Sequence, residues 1–84
     1  MGMPKGDKYI GLTRFLEKSN EDKLTLSFAQ IESLIGDSLP LSAKVHRAFW
    51  SNTKTHSVAY GWMNANYRTI DVDLGNELIT FKKS

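Results

Sequence analysis

The chain has 84 residues, 40% of them hydrophobic and none of them cysteine, which describes one small domain held by packing and excludes a second domain, a disulfide framework and a cysteine-bound zinc. No apolar run is long enough to cross a bilayer and no signal-peptide core is present, so the expected setting is cytoplasmic, with no membrane partner. The net charge of +2 hides an uneven distribution: all nine acids lie at or before Asp37 or at or after Asp71, while residues 38–70 hold Lys44, Arg47, Lys54, Arg68, His46 and His56, which favours an anionic partner.

Residues 1–6 read as a disordered tail, and 7–82 as a single α+β domain. Tyr9, Leu12, Phe15 and Leu16 recur at helical spacing behind Asp7, a suitable N-cap, which predicts a helix over 7–18. It stops at Ser19-Asn20. In "KLTLSF", Leu24 and Leu26 alternate with polar neighbours, as in a short half-buried strand. In "SFAQIESLIG", Ser27 and Gln30 have the spacing of a capping box, Phe28, Ile31, Leu34 and Ile35 share one face, and Gly36 suits a left-handed stop, which together predict a helix over 28–35.

"DSLP" then turns the chain. Residues 42–49 have two readings: a short helix capped by Ser42, with Leu41, Val45, Ala48 and Phe49 at helical offsets, or a strand, because the β-branched and aromatic content suits one equally. A further helix is expected from Thr55, burying Val58, Ala59, Trp62 and Met63 and exposing Ser57, Tyr60 and Asn64. Gly61 inside it signals close approach of another backbone or a ligand. Asn66 is its left-handed stop. Finally Ile70, Val72 and Leu74 alternate toward a two-residue turn at Gly75-Asn76, and Ile79 and Phe81 alternate on the return. The hairpin register sets Val72 opposite Ile79 and Ile70 opposite Phe81.

This order resembles the winged helix-turn-helix plan, with about three helices and a small three-stranded antiparallel sheet ending in a C-terminal β-hairpin. Two features depart from it. The wing, 71–77, is acidic, and the stretch between the second and last helices is far longer than an ordinary helix-turn-helix turn. Either 42–49 is the presented helix, with Lys44, His46 and Arg47 outward, or the fold is only winged-helix-like.

The residues that could carry chemistry argue against an enzyme. Ser51 or Ser57 beside His56 is mere proximity along the chain, and His46 and His56 lack a third metal ligand. Asp71, Asp73 and Glu77 read as a solvated strand surface, partly neutralised by Lys82 across the hairpin. No cofactor or metal is expected. Nucleic-acid binding needs cations for phosphates and amides, hydroxyls or aromatics for bases. Lys44, Arg47 and Lys54 are the phosphate candidates, and Asn52, His56, Ser57, Tyr60 and Asn64 complete the candidate site. Trp50 and Trp62 read as core.

"LPLSAKVHRAFWSNTKTHSVAYGWMNANY" resembles a small domain family of bacteria and their phages, of no assigned activity, whose members read Leu-Pro-x-Ser-Ala, then Arg-x-Trp-Trp-x-Asn, then His-x-x-Ala-x-x-Trp. The match runs from about Tyr9 to Phe81. Leu39, Pro40, Ser42, Ala43, Arg47, Trp50, Asn52, His56, Ala59 and Trp62 fill the pattern; Phe49 replaces the first tryptophan, and Asn66 stands where glycine is commoner. The resemblance implies that Arg47, Asn52 and His56 belong to a shared pattern, as a binding site or as a polar network that fixes the loop. The leading expectation is a non-catalytic nucleic-acid-binding domain, DNA first, of a bacterial or phage regulatory protein. The alternative is a protein-interaction module binding a host or defence factor, with Trp50, Phe49 and Tyr60 as anchors. A small-molecule pocket under Trp50 and Trp62 is a third reading.

Overall fold

The computed structural model describes residues 9–53 and 58–84. The tail, the Asp7 cap and the candidates Lys54, His56 and Ser57 lie outside the described residues. Among these residues the elements are four α-helices, α1 (Ile10–Lys18), α2 (Phe28–Ile35), α3 (Leu41–Val45) and α4 (Ala59–Met63), a 3-10 turn at Arg47–Trp50 and strands β1 (Lys23–Ser27), β2 (Tyr67–Asp73) and β3 (Leu78–Lys83). The strands form one antiparallel sheet in the order β1-β3-β2. The chain is thus a mixed helix and sheet domain ending in a paired C-terminal hairpin.

Helix α2 is built as its sequence dictates. Ser27 Oγ accepts from the Gln30 N–H at 3.0 Å, the Gln30 side chain accepts from the Ser27 N–H at 2.8 Å, and Gly36 closes the helix at φ 70°, so orphan backbone groups at both ends are satisfied. Asn66, at φ 64°, likewise takes the left-handed conformation expected of it. Helix α1 buries Leu12, Thr13 and Leu16, and Phe15 stays 39% exposed at its rim.

Residues 42–49 are neither one helix nor a strand. Helix α3 starts after Pro40, with no side-chain cap, and Ser42 lies inside it. At His46 the backbone extends (φ −122°, ψ 117°) before the 3-10 turn begins. The break lets Trp50 swing into the core, where its Nε1 donates to the Ala43 carbonyl at 2.8 Å. From there an aromatic column runs through the molecule. Phe28 stacks on Trp50 (5.4 Å between centroids), Trp50 on Trp62 (5.9 Å), and Trp62 meets Phe81 (5.6 Å), joining α2, the 3-10 turn, α4 and β3. Each such pair adds about 0.5–1.5 kcal/mol beyond area burial.

The two helix pairs that touch most closely do so through glycine. A Cβ on Gly61 would lie 3.1 Å from both Tyr9 Cβ and Leu12 Cδ2, and the Gly61 carbonyl accepts from the buried Thr13 hydroxyl at 2.8 Å. The close approach expected at Gly61 is therefore that of α1. Gly11 is tighter: a Cβ there would sit 1.9 Å from the Leu34 carbonyl oxygen, which holds α1 against α2.

The hairpin departs from the expected register. Val72 does face Ile79, but a β-bulge between Thr69 and Asp71 brings Thr69, not Ile70, opposite Phe81. Ile70 is left 45% exposed. Pairing ends at Asp73 and Leu78, so the loop is four residues, 74–77, with the positive φ (57°) at Glu77 instead of at Gly75-Asn76. The Asp73 carboxylate organises this loop by accepting from the Asn76 N–H (3.0 Å) and side-chain amide (2.9 Å). A bulge adds one residue to a strand and inverts its facing, which is why simple alternation misplaces Ile70.

Candidate functional site

Arg47 and Asn52 meet on the outer edge of β2. Asn52 lies just beyond the 3-10 turn, and its side chain behaves as one rung of a missing fourth strand. Its Oδ1 accepts from the Thr69 N–H at 2.8 Å, and its Nδ2 donates to the Thr69 carbonyl at 3.0 Å. The same Oδ1 accepts from Trp62 Nε1 (2.9 Å) and lies 3.1 Å from Thr69 Oγ1, which also donates to the Trp50 carbonyl at 2.7 Å. Three residues further along the strand, the Arg47 guanidinium donates to the Val72 carbonyl. An open strand edge is a template for unwanted pairing; here two side chains occupy it.

The remaining candidates turn elsewhere. Lys44 is exposed on α3 and sits 3.9 Å from the Glu32 carboxylate of α2, a distance and exposure that make the ion pair weak. Glu32 also accepts from the Leu39 N–H at 2.8 Å. Tyr60 is half-buried on α4 and Asn64 is exposed just past its end, beside a recess lined by Glu17, Asn66 and Lys83. The described candidates thus address three different neighbours: α2, the edge of β2 and the end of α4.

Electrostatics at the hairpin are local. Asp73's carboxyl is held below the ordinary carboxylate range, first by the bonds from the Asn76 side chain and backbone, with a smaller contribution from the Arg47 guanidinium. Lys82 does not neutralise this loop; it pairs with Asp22 at 3.1 Å.

Residues 9–84 match the family model described as Domain of unknown function (DUF7662). The chain belongs to that family. No curated protein and no solved structure matches it. Within the DUF7662 domain, the pattern residues quoted above have visible structural work. Leu39, Ala43, Trp50, Ala59 and Trp62 are buried, Ala43 offers its carbonyl to Trp50, and Arg47 and Asn52 close the sheet edge. Trp50 and Trp62 are 1% and 0% exposed, so Trp50 presents nothing to a partner. Neither the recess beside Asn64 nor a smaller one lined by Phe15, Gln30 and Leu34 is lined by either tryptophan.

Sequence reasoning passed over a second group. The outer face of the sheet sets Lys23 opposite Lys82 and Lys82 opposite Arg68. Three cations therefore stand in one rung across all three strands. The register of β1 on β3, which no local pattern encodes, is what aligns them.

Proposed function

We propose that this domain is a non-catalytic nucleic-acid-binding module of winged-helix-like design, with DNA as its partner. The observation that carries this reading is the acid-free stretch 38–70, in which Lys44, His46 and Arg68 reach solvent. Such cations attract phosphates and release their counterions, and the Glu32 carboxylate 3.9 Å from Lys44 is only a weak competitor. The element order supports the same reading, since a small sheet with its first strand paired to its last covers the helices, as in winged helices. Arg47 and Asn52 enter it as supports that hold the loop, because their polar groups are already bonded to β2.

The test is fluorescence anisotropy of an end-labelled duplex, with the label on the DNA because both tryptophans are buried. Affinity is expected to fall steeply between about 50 and 200 mM salt, and Lys44→Gln to lower the slope of log K against log salt by about one. A folded sample that leaves the anisotropy unchanged at the lower salt refutes the reading.

One observation favours a second reading, a protein-interaction module. Leu41 and Val45, one helical turn apart on α3, are 74% and 52% exposed. They replace Trp50 as the anchors such a module would use. Leu41→Ser with Val45→Ser would abolish capture of a protein partner while leaving duplex binding intact.

A further inference from the structure

We infer that the outer face of the sheet is a phosphate-binding site formed by Lys23, Arg68 and Lys82. Directly opposed residues of antiparallel strands project from the same face about 5 Å apart, and like charges in that position repel. Here two such oppositions share one rung, Lys23 with Lys82 and Lys82 with Arg68. The inner-face rung next to it, Leu24, Phe81 and Thr69, runs from half-buried to fully buried, so the cations stand on the solvent side.

Asp22 answers one of the three charges through its contact with Lys82. Lys23 and Arg68 have no ion-pair partner among the described residues. The next outer rung is Thr25, Thr80 and Asp71. The two threonine hydroxyls are 2.9 Å apart; one donates to the other, which leaves a second O–H able to donate to an anion above the sheet. Asp71, the next outer-face residue after Arg68 on β2, bounds the site on the side of the hairpin loop. Two unpaired cations flanking a third, with a hydroxyl donor beside them, suit a tetrahedral dianion or successive phosphodiesters. A single carboxylate would leave most of these donors unused.

The site goes beyond the proposed function and rests on it only for the source of the phosphate, expected to be a polynucleotide backbone. The experiment combines two probes on the full chain, wild type and Lys23→Gln/Arg68→Gln, with circular dichroism confirming that both are folded. Inorganic pyrophosphate is titrated while backbone amide shifts are followed by NMR, and the labelled duplex is titrated over a salt series. Shifts centred on Lys23, Arg68 and Lys82 that vanish in the variant, with a duplex salt slope lower by about two, establish the site and its source. Pyrophosphate shifts without duplex binding keep the site, assign it to a small phosphate compound and refute the nucleic-acid reading. Duplex binding whose slope the variant does not change, with no pyrophosphate shifts at the rung, overturns the site and leaves the nucleic-acid reading standing. No response to either probe overturns both.

Discussion

Strand β2 has an edge and an outer face, and the two are finished in opposite ways. Along the edge, Asn52 bonds the Thr69 N–H and carbonyl and Arg47 the Val72 carbonyl, so three outward backbone groups of the strand are satisfied. On the face, Arg68 stands beside Lys82 in a rung of like charges and makes no ion pair among the described residues. A polar residue that completes a backbone ladder stabilises the fold, whereas one that repels its neighbour stabilises nothing until a counter-charge arrives. The contrast separates residues retained for structure from residues available for binding.

Four changes would sharpen or break that contrast. The deepest cut is Trp50→Ala, which removes the middle of the aromatic column and the bond to Ala43. A loss of about 3–5 kcal/mol is expected in urea unfolding, a large share of the stability of so small a domain.

Next comes Asn52→Ala. It strands Trp62 Nε1 and both backbone groups of Thr69, for an expected loss of about 2 kcal/mol or more. Asn52→Asp keeps the accepting oxygen and should recover part of that loss. An alanine variant as stable as the wild type, but defective in duplex binding, would move Asn52 from the structural class to the binding one.

On the face the sign reverses. Relief of repulsion in Lys23→Gln/Arg68→Gln should raise stability by about 0.2–1 kcal/mol at low salt, and the gain should fade as salt screens the charges. A clear loss of stability in this variant would mean that the rung is held by contacts of its own, and the contrast would fail.

The smallest effect belongs to Asp73. Its folded carboxyl titrates below the ordinary range because Asn76 donates to it; the unfolded one titrates in that range. Its contribution is therefore complete above about pH 4 and is lost as pH falls through the folded value. Asp73→Ala should make the acid limb of a stability-pH curve shallower below about pH 4 and leave its shape near neutrality unchanged.

Much of the fold was legible in the residue order. The Ser27–Gln30 box, the stops at Gly36 and Asn66, the tryptophans as core and the close approach at Gly61 all follow from a few neighbouring residues. The hairpin was half legible. Val72 against Ile79 follows from alternation, but the bulge that turns Ile70 outward follows from Thr69 being captured by Asn52 and Trp50, residues of another loop. The candidate site was legible as a cluster in the chain, and folding dispersed it. Arg47 and Asn52 went to the edge of β2, Lys44 to the side of α2 and Asn64 to the end of α4.

The α2 capping box, the left-handed stops and the facing of Val72 and Ile79 were settled by short-range sterics and hydrogen bonds, which act between residues close in the chain and leave their mark on composition. The charged rung and the closed strand edge were settled by long-range pairing. Lys23, Arg68 and Lys82 share no local pattern and become neighbours only because β3 lies between β1 and β2. Which distant strands pair, and in what register, depends on how the whole core packs, and no window of the chain contains that information.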